Sequence, residues 1–207
     1  MLELLLATGN AHKAQELRDL LSGIPVTVLS PRDVGGLPEV IEDGATFQEN
    51  AAKKASSAAK HTGRWCLADD SGLCVDALEG APGIHSARYG GTHGDDVGNN
   101  KKLLLDLAEV PEEKRGAAFV CSLALARPDG EIEIVIDGRT EGRILTEPMG
   151  VGGFGYDPLF LFSEPNLEQT GRCFASLTPP EKSAVSHRGR ALRALGQELT
   201  TILEQTS

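Results

Sequence analysis

Long apolar runs, C-x-x-C pairs, a basic excess and most aromatics are missing from this 207-residue chain. No stretch approaches the ~18 apolar residues that a membrane-spanning helix needs, so no membrane partner is expected. The opening Leu2–Leu6 run has no basic leader and passes directly into Thr8-Gly9-Asn10. It is read as a first strand rather than a signal peptide. Cys66, Cys74, Cys121 and Cys173 lack the spacings of a zinc site or a disulfide framework, and a reducing cytoplasm is the expected location. Thirty acidic against twenty basic side chains give a net charge of −10, which disfavours DNA and RNA because long polyanions need a continuous basic face. A small polyphosphate is not excluded, since a divalent cation and a few local lysines can meet its charge.

What the sequence does contain is an alternation of strand and helix patterns. Leu2 to Ala7 reads as a strand, and Ala14, Leu17, Leu20 and Leu21 mark a helix. Val26 to Leu29 is a second strand, followed by a loop from Pro31 to Gly44. Thr46-Phe47-Gln48-Glu49 has capping-box spacing, so a helix is expected from there to about His61, with Phe47, Ala51, Ala55 and Ala58 on one face and Asn50, Lys54 and Ser57 on another. Trp65 to Asp69 reads as a buried strand ending in acids, and Asp95 to Leu107 as a helix. Ala117 to Ala126 and Glu131 to Ile136 flank a Pro-Asp-Gly turn as a hairpin, and Ala191, Leu195, Leu199 and Ile202 mark a final helix. The expected fold is α/β with a mixed sheet, in one domain over residues 1–207.

Four polar segments stand at the ends of these elements, where sites are usually built. In Thr8-Gly9-Asn10-Ala11-His12-Lys13, a glycine turn opens a helix and offers free amides to an anion; a plain cap by Asn10 with Lys13 in solvent fits the segment equally well. In Asp69-Asp70-Ser71-Gly72, adjacent carboxylates at a strand end point to opposite sides. One can hold a hard cation while the other braces loop amides, although a simple turn also accounts for the composition. Ser71 lacks the G-x-S-x-G setting of a hydrolase nucleophile.

Gly150 to Gly155 formally matches G-x-G-x-x-G, but Pro158 keeps Asp157 from opening the helix that a dinucleotide site requires. Phe154 and Tyr156 instead offer aromatic faces beside the Gly155 backbone and the Asp157 carboxylate, and a base can stack there. Lys182, Ser186, His187 and Arg188 form a dense donor set entering the last helix, suited to base or phosphate oxygens or to a solvated helix start.

Together these segments resemble the inosine triphosphate pyrophosphatases, also called Ham1-like proteins. The matching runs are LATGNAHKAQEL, TFQENAAKKA, ADDSGLCVDALEGAPGIHSARYGG, GGFGYDPLF and EKSAVSHRGRAL, in the family's order from residue 6 to residue 192. The resemblance implies an elongated central mixed sheet flanked by helices, two lobes with a nucleotide cleft between them, and a homodimer. It implies hydrolysis of non-standard purine triphosphates (ITP, dITP and XTP) to monophosphate and pyrophosphate with Mg2+, for which Mn2+ substitutes. Asp70 is then the general base and a metal ligand, and Glu42 is the second ligand, with Glu39 as the alternative because this chain spaces its acids differently ahead of the TF-x-E-N helix. Thr8, Gly9, Asn10, Ala11, His12, Lys13, Lys54 and Ser71 contact the triphosphate, while Phe154, Gly155, Tyr156, Asp157, Lys182, His187 and Arg188 form the base pocket. Two rival readings are a Maf-type pyrimidine triphosphate pyrophosphatase, which shares the opening strand-turn-helix but not the SHRGRAL run, and a general phosphatase, which needs no base pocket. A non-catalytic nucleotide sensor is a third, and the Asp69-Asp70 pair argues against it.

Overall fold

A computed structural model describes residues 2–205, excepting the side chains of His12, Leu20 and residues 203–205. Six strands form one sheet in the order β2-β1-β3-β4-β5-β6: β1 Leu2–Leu6, β2 Val26–Leu29, β3 Trp65–Val75, β4 Gly116–Ala126, β5 Ile132–Ile144 and β6 Phe160–Phe162. β1 pairs parallel with β2 and with β3, whereas β5 and β6 pair antiparallel, so the sheet is mixed as the sequence suggested. The helices are α1 Ala11–Leu21, α2 Phe47–Thr62, α3 Asp96–Asp106, α4 Pro179–Val185 and α5 His187–Gln205.

The chain forms two compact units. One comprises the residues up to Asp70, Cys121–Gly138 and the residues from Arg188 onward; the other comprises Ser71–Val120 and Arg139–His187. In the first unit, strand alternation sorts side chains onto two faces. Leu4, Leu6, Leu67 and Cys121 pack with Leu17 and Leu21 of α1 and Ala191, Leu195 and Leu199 of α5. Leu5, Ala7, Cys66 and Ala68 pack with Ala51, Ala55, Ala58 and Ala59 of α2. Small side chains on that face bring α2 close to the sheet, as its alanine stripe predicts. The second unit has its own core, in which Leu73, Val75, Leu103, Phe119, Phe160 and Phe174 are packed.

β3 departs from expectation. The strand was expected to end in a turn at Asp69-Asp70-Ser71-Gly72, yet it runs through these residues to Val75. The reason is what lies beyond them: Leu73 and Val75 are fully buried in the second core, so extended backbone is stabilised on both sides of the acids. β5 likewise continues past Ile136 to Ile144, where Ile144 is buried, and two short elements, β6 and α4, were not read from the sequence. The loop from Pro31 contains one short 3₁₀ turn, Pro31–Val34.

Candidate active site

In the first unit, β1 gives way after Leu6 to the turn that starts α1. Asn10 caps the helix, its side chain accepting from Lys13 N at 3.1 Å, and Thr8 Oγ1 accepts from Asn10 N at 3.2 Å. Gly9, Asn10 and Ala11 are exposed, so this helix start faces solvent, where a helix N-terminus favours anions. The cap reading is met at Asn10, but Lys13 is not a solvated lysine. Its ammonium pairs with Asp69. The His12 side chain lies outside the described residues.

β1's pairing with β3 runs from Leu4 opposite Trp65 to Leu6 opposite Leu67, which puts Asp69 and Asp70 just beyond the carboxyl end of the parallel pair. That edge is where ligands of α/β sheets bind. Because residues alternate, Asp69 continues the Leu67 face toward α1 and α5, and Asp70 continues the Ala68 face toward α2. Asp69 is buried and accepts from Lys13 Nζ, from Arg188 Nε at 3.0 Å and from the Cys121 thiol at 3.0 Å. Arg188, also buried, reaches Glu16 of α1 through Nη1. A buried ion costs several kcal/mol, more than the roughly 1.5–3 kcal/mol that one buried leucine contributes, so Asp69 is stable here only because it is paired. Burial alone would raise its pKa, but Arg188 and Lys13 hold it well below the ordinary carboxylate value. One expectation changes: Asp69 braces side-chain cations rather than loop amides, while Arg188 reaches Asp69 through Nε and Glu16 through Nη1.

Asp70 Oδ1 lies 2.9 Å from Lys54 Nζ, which also contacts Glu42 Oε2 at 3.0 Å. The lysine thus bridges the two acids assigned to the metal. Burial raises the pKa of Asp70 more than Lys54 and Lys13 lower it. Glu42 is also pushed up by burial, but Lys54 outweighs this and its pKa falls. Glu42 is held by its loop: Gly44 N donates to the buried Asn50 Oδ1 at 2.8 Å, and Ala45 N donates to Glu49 Oε2 at 2.7 Å. Glu49 therefore reaches one residue beyond the Thr46 cap. A Cβ at Gly44 would lie 2.6 Å from Asn50 Oδ1, so only glycine allows this approach. Asn50, expected on the polar face of α2, is a supporting residue that sequence spacing did not reveal. Its signal was its place at the foot of the helix carrying Lys54. Glu39 is exposed.

Among the described residues no three His, Cys, Asp or Glu side chains cluster as metal ligands. Two carboxylates are nevertheless what magnesium commonly takes from a protein, waters and substrate phosphates supplying the rest. Asp70 Oδ2 fits that demand, being buried without a hydrogen-bond partner, an arrangement that costs free energy unless a ligand completes it.

In the second unit, Asp157 Oδ2 accepts from Phe154 N at 2.8 Å and from Lys182 Nζ at 2.6 Å, and the ammonium lies 4.6 Å from the centre of the Phe154 ring. A cation so placed is attracted by the ring face. Gly153 and Gly155 have φ of 75° and 63°, the left-handed region glycine tolerates. The Tyr156 ring, expected to offer a stacking face, is instead buried in the core, with its hydroxyl donating to Ser86 O at 2.9 Å. Its neighbours Leu159 and Phe160 draw it inward. His187 is buried with its ring stacked on Phe119, centroids 4.9 Å apart. Ser71 follows Asp70 in β3 and is half-buried.

Comparison with known proteins covers nearly the whole chain. A curated dITP/XTP pyrophosphatase of Rhodopirellula baltica is 48% identical over 207 residues, covering 100% of this chain and 97% of its own length. One from Geobacter sulfurreducens is 52% identical over 96% of this chain and 97% of its own. A HAM1 protein from Coxiella burnetii superposes with a TM-score of 0.86 at 40% identity, covering 97% of this chain and 100% of that one. A nucleoside-triphosphatase / dITP/XTP pyrophosphatase from Mycobacterium abscessus gives a TM-score of 0.75 at 49% identity, covering 94% and 98%. The Ham1 family model matches residues 4–198, and the chain belongs to the Ham1 family.

Proposed function

We propose that this protein is a magnesium-dependent pyrophosphatase that converts ITP, dITP and XTP to the monophosphate and pyrophosphate, clearing non-standard purines from the nucleotide pool. The observation that carries the reading is Lys54 bridging Asp70 and Glu42 while Asp70 Oδ2 stays open. Relatives about half identical over nearly their full length are named dITP/XTP pyrophosphatases.

Asp70 accepts the proton of the water that attacks the α-phosphorus, as a positioned carboxylate with an unpaired oxygen can. Asp70 and Glu42 would hold Mg2+, or Mn2+ in its place, which supplies charge neutralisation and Lewis-acid polarisation at the phosphate oxygens. The amides of the Thr8–Lys13 turn, Lys13, Lys54 and Ser71 neutralise and orient the triphosphate. Lys54 keeps its proton, because Asp70 and Glu42 overcome the effect of its burial.

Base recognition falls to Phe154, the Gly155 backbone, Asp157, Lys182 and His187. Hypoxanthine and xanthine carry an oxygen at C6 where adenine carries an amine, so donors there favour the deaminated bases. Arg188 belongs with them as a donor to the base while its Nε and Nη1 pair with Asp69 and Glu16, and Tyr156 acts behind them by packing. A single domain acting as a cytoplasmic homodimer completes the proposal; no described helix is long and apolar enough to cross a membrane. Purified protein assayed against all common and deaminated triphosphates, with and without chelator, tests the reading. It expects ITP, dITP and XTP to be hydrolysed with pyrophosphate release that chelator abolishes. Equal hydrolysis of ATP, pyrimidine preference or full turnover in chelator would reject it.

A further inference from the structure

The glycine-rich segment is gripped from outside by α3, an element given no part in function so far. Gly155 N donates to Asp96 Oδ2 at 2.7 Å, and Gly155 O accepts from Asn100 Nδ2 at 2.8 Å. Asp96 and Asn100 are one turn apart, and Asn100 Nδ2 also donates to Asp96 O at 2.9 Å. Both peptide groups flanking Gly155 are thus fixed by a single helical turn. The other end of the Asn100 amide, Oδ1, is buried with no hydrogen-bond partner. An unpaired buried acceptor is unfavourable, so this side chain is oriented for Gly155 at a cost to its own satisfaction.

Gly155 sits immediately after Phe154, whose ring carries the Lys182 ammonium and whose amide binds Asp157. Moving the Phe154–Gly155 peptide therefore moves the ring and its ion pair together. We infer that Asp96 and Asn100 are positioning residues for base recognition, setting purine selectivity through Gly155 without touching substrate. The inference rests on the base-recognition role proposed for Phe154, Asp157 and Lys182.

The test compares Asn100→Ala, Asp96→Ala and Asp96→Asn for ITP and ATP kinetics, melting temperature and amide hydrogen exchange of residues 150–157. Asparagine at 96 can still accept from Gly155 N, so that variant should keep the ITP KM within about twofold. The alanine variants should raise the ITP KM about tenfold, the worth of one good hydrogen bond, with little change in kcat or in the ATP KM, and should speed exchange in the segment. Asp95→Ala removes the α3 cap, in which Asp95 accepts from Gly98 N. It should lower the melting temperature while leaving the ITP KM in place, which separates positioning from mere stabilisation of α3. An ITP KM within twofold of the parent in both alanine variants, or an equal rise in Asp95→Ala, overturns the inference. If the parent protein hydrolyses no ITP, the proposed function fails on its own, and the exchange rates alone decide whether α3 holds the segment: faster exchange in both alanine variants sustains the grip and unchanged exchange refutes it.

Discussion

Asp69 and Asp70 are adjacent in sequence and chemically identical, yet their surroundings give them different work. Asp70 faces one lysine and keeps an oxygen open; Asp69 is closed in by Lys13, Arg188 and Cys121. Asp70→Asn should fold normally and lose about 10²-fold to 10⁴-fold in turnover, the range a positioned base contributes; a loss under tenfold would remove Asp70 from that role. Asp69→Asn should retain more activity but less stability, because it removes a carboxylate that pairs the buried Arg188, a change that costs about 3–5 kcal/mol in similar pairs. The effect carries a pH signature. The folded pKa of Asp69 is depressed well below that of an ordinary aspartate, so its stabilisation is complete above the ordinary value and is lost as pH falls through the lower, folded one. Denaturant titrations should show the gap between parent and Asp69→Asn constant at neutral pH and shrinking below about pH 4. A gap that widens in acid contradicts the pairing. The Cys121 thiol, raised by burial and by Asp69, remains a donor throughout this range.

At the scale of elements, α4 is the shortest of the described α-helices and carries Lys182. It is held at its start by a capping box in which Thr178 and Glu181 satisfy each other's amides, with Arg172 Nη1 2.6 Å from Glu181 Oε1. Arg172 and the Thr178 amide and hydroxyl lower the pKa of Glu181 to about 2, so the box persists until pH falls to that value. Thr178→Ala should cost about 1 kcal/mol of stability and raise the ITP KM through Lys182; an unchanged KM would separate the cap from base recognition. This helix was not legible beforehand because two prolines and a seven-residue length hide any hydrophobic period. α2 was legible for the opposite reason, its alanine stripe and cap giving length, face and start together. β3 shows where local reading stops. Asp-Asp-Ser-Gly has turn composition, and its extended form depends on the burial of Leu73 and Val75 beyond it and on distant partners, Lys13, Lys54 and Arg188, for its acids. The same limit hid Asn50, whose role depends on Gly44 returning to the foot of its helix.

For the whole molecule, the order of motifs was readable because each falls at the end of an element, and elements follow from hydrophobic period. The structure brings Lys54 together with Asp70 and Glu42, the residues to which the family resemblance assigned the triphosphate and the metal. The commitments of Tyr156 and Arg188 did not follow from sequence, since burial is a property of the fold and not of a motif. The central claim is that water attacks the α-phosphorus and pyrophosphate leaves in one step. Hydrolysis of ITP in oxygen-18 water tests it most directly. The account requires the label in inosine monophosphate, with unlabelled pyrophosphate and no accumulation of inosine diphosphate. Label in pyrophosphate, or in orthophosphate released stepwise, would contradict it even if the protein proved selective for inosine.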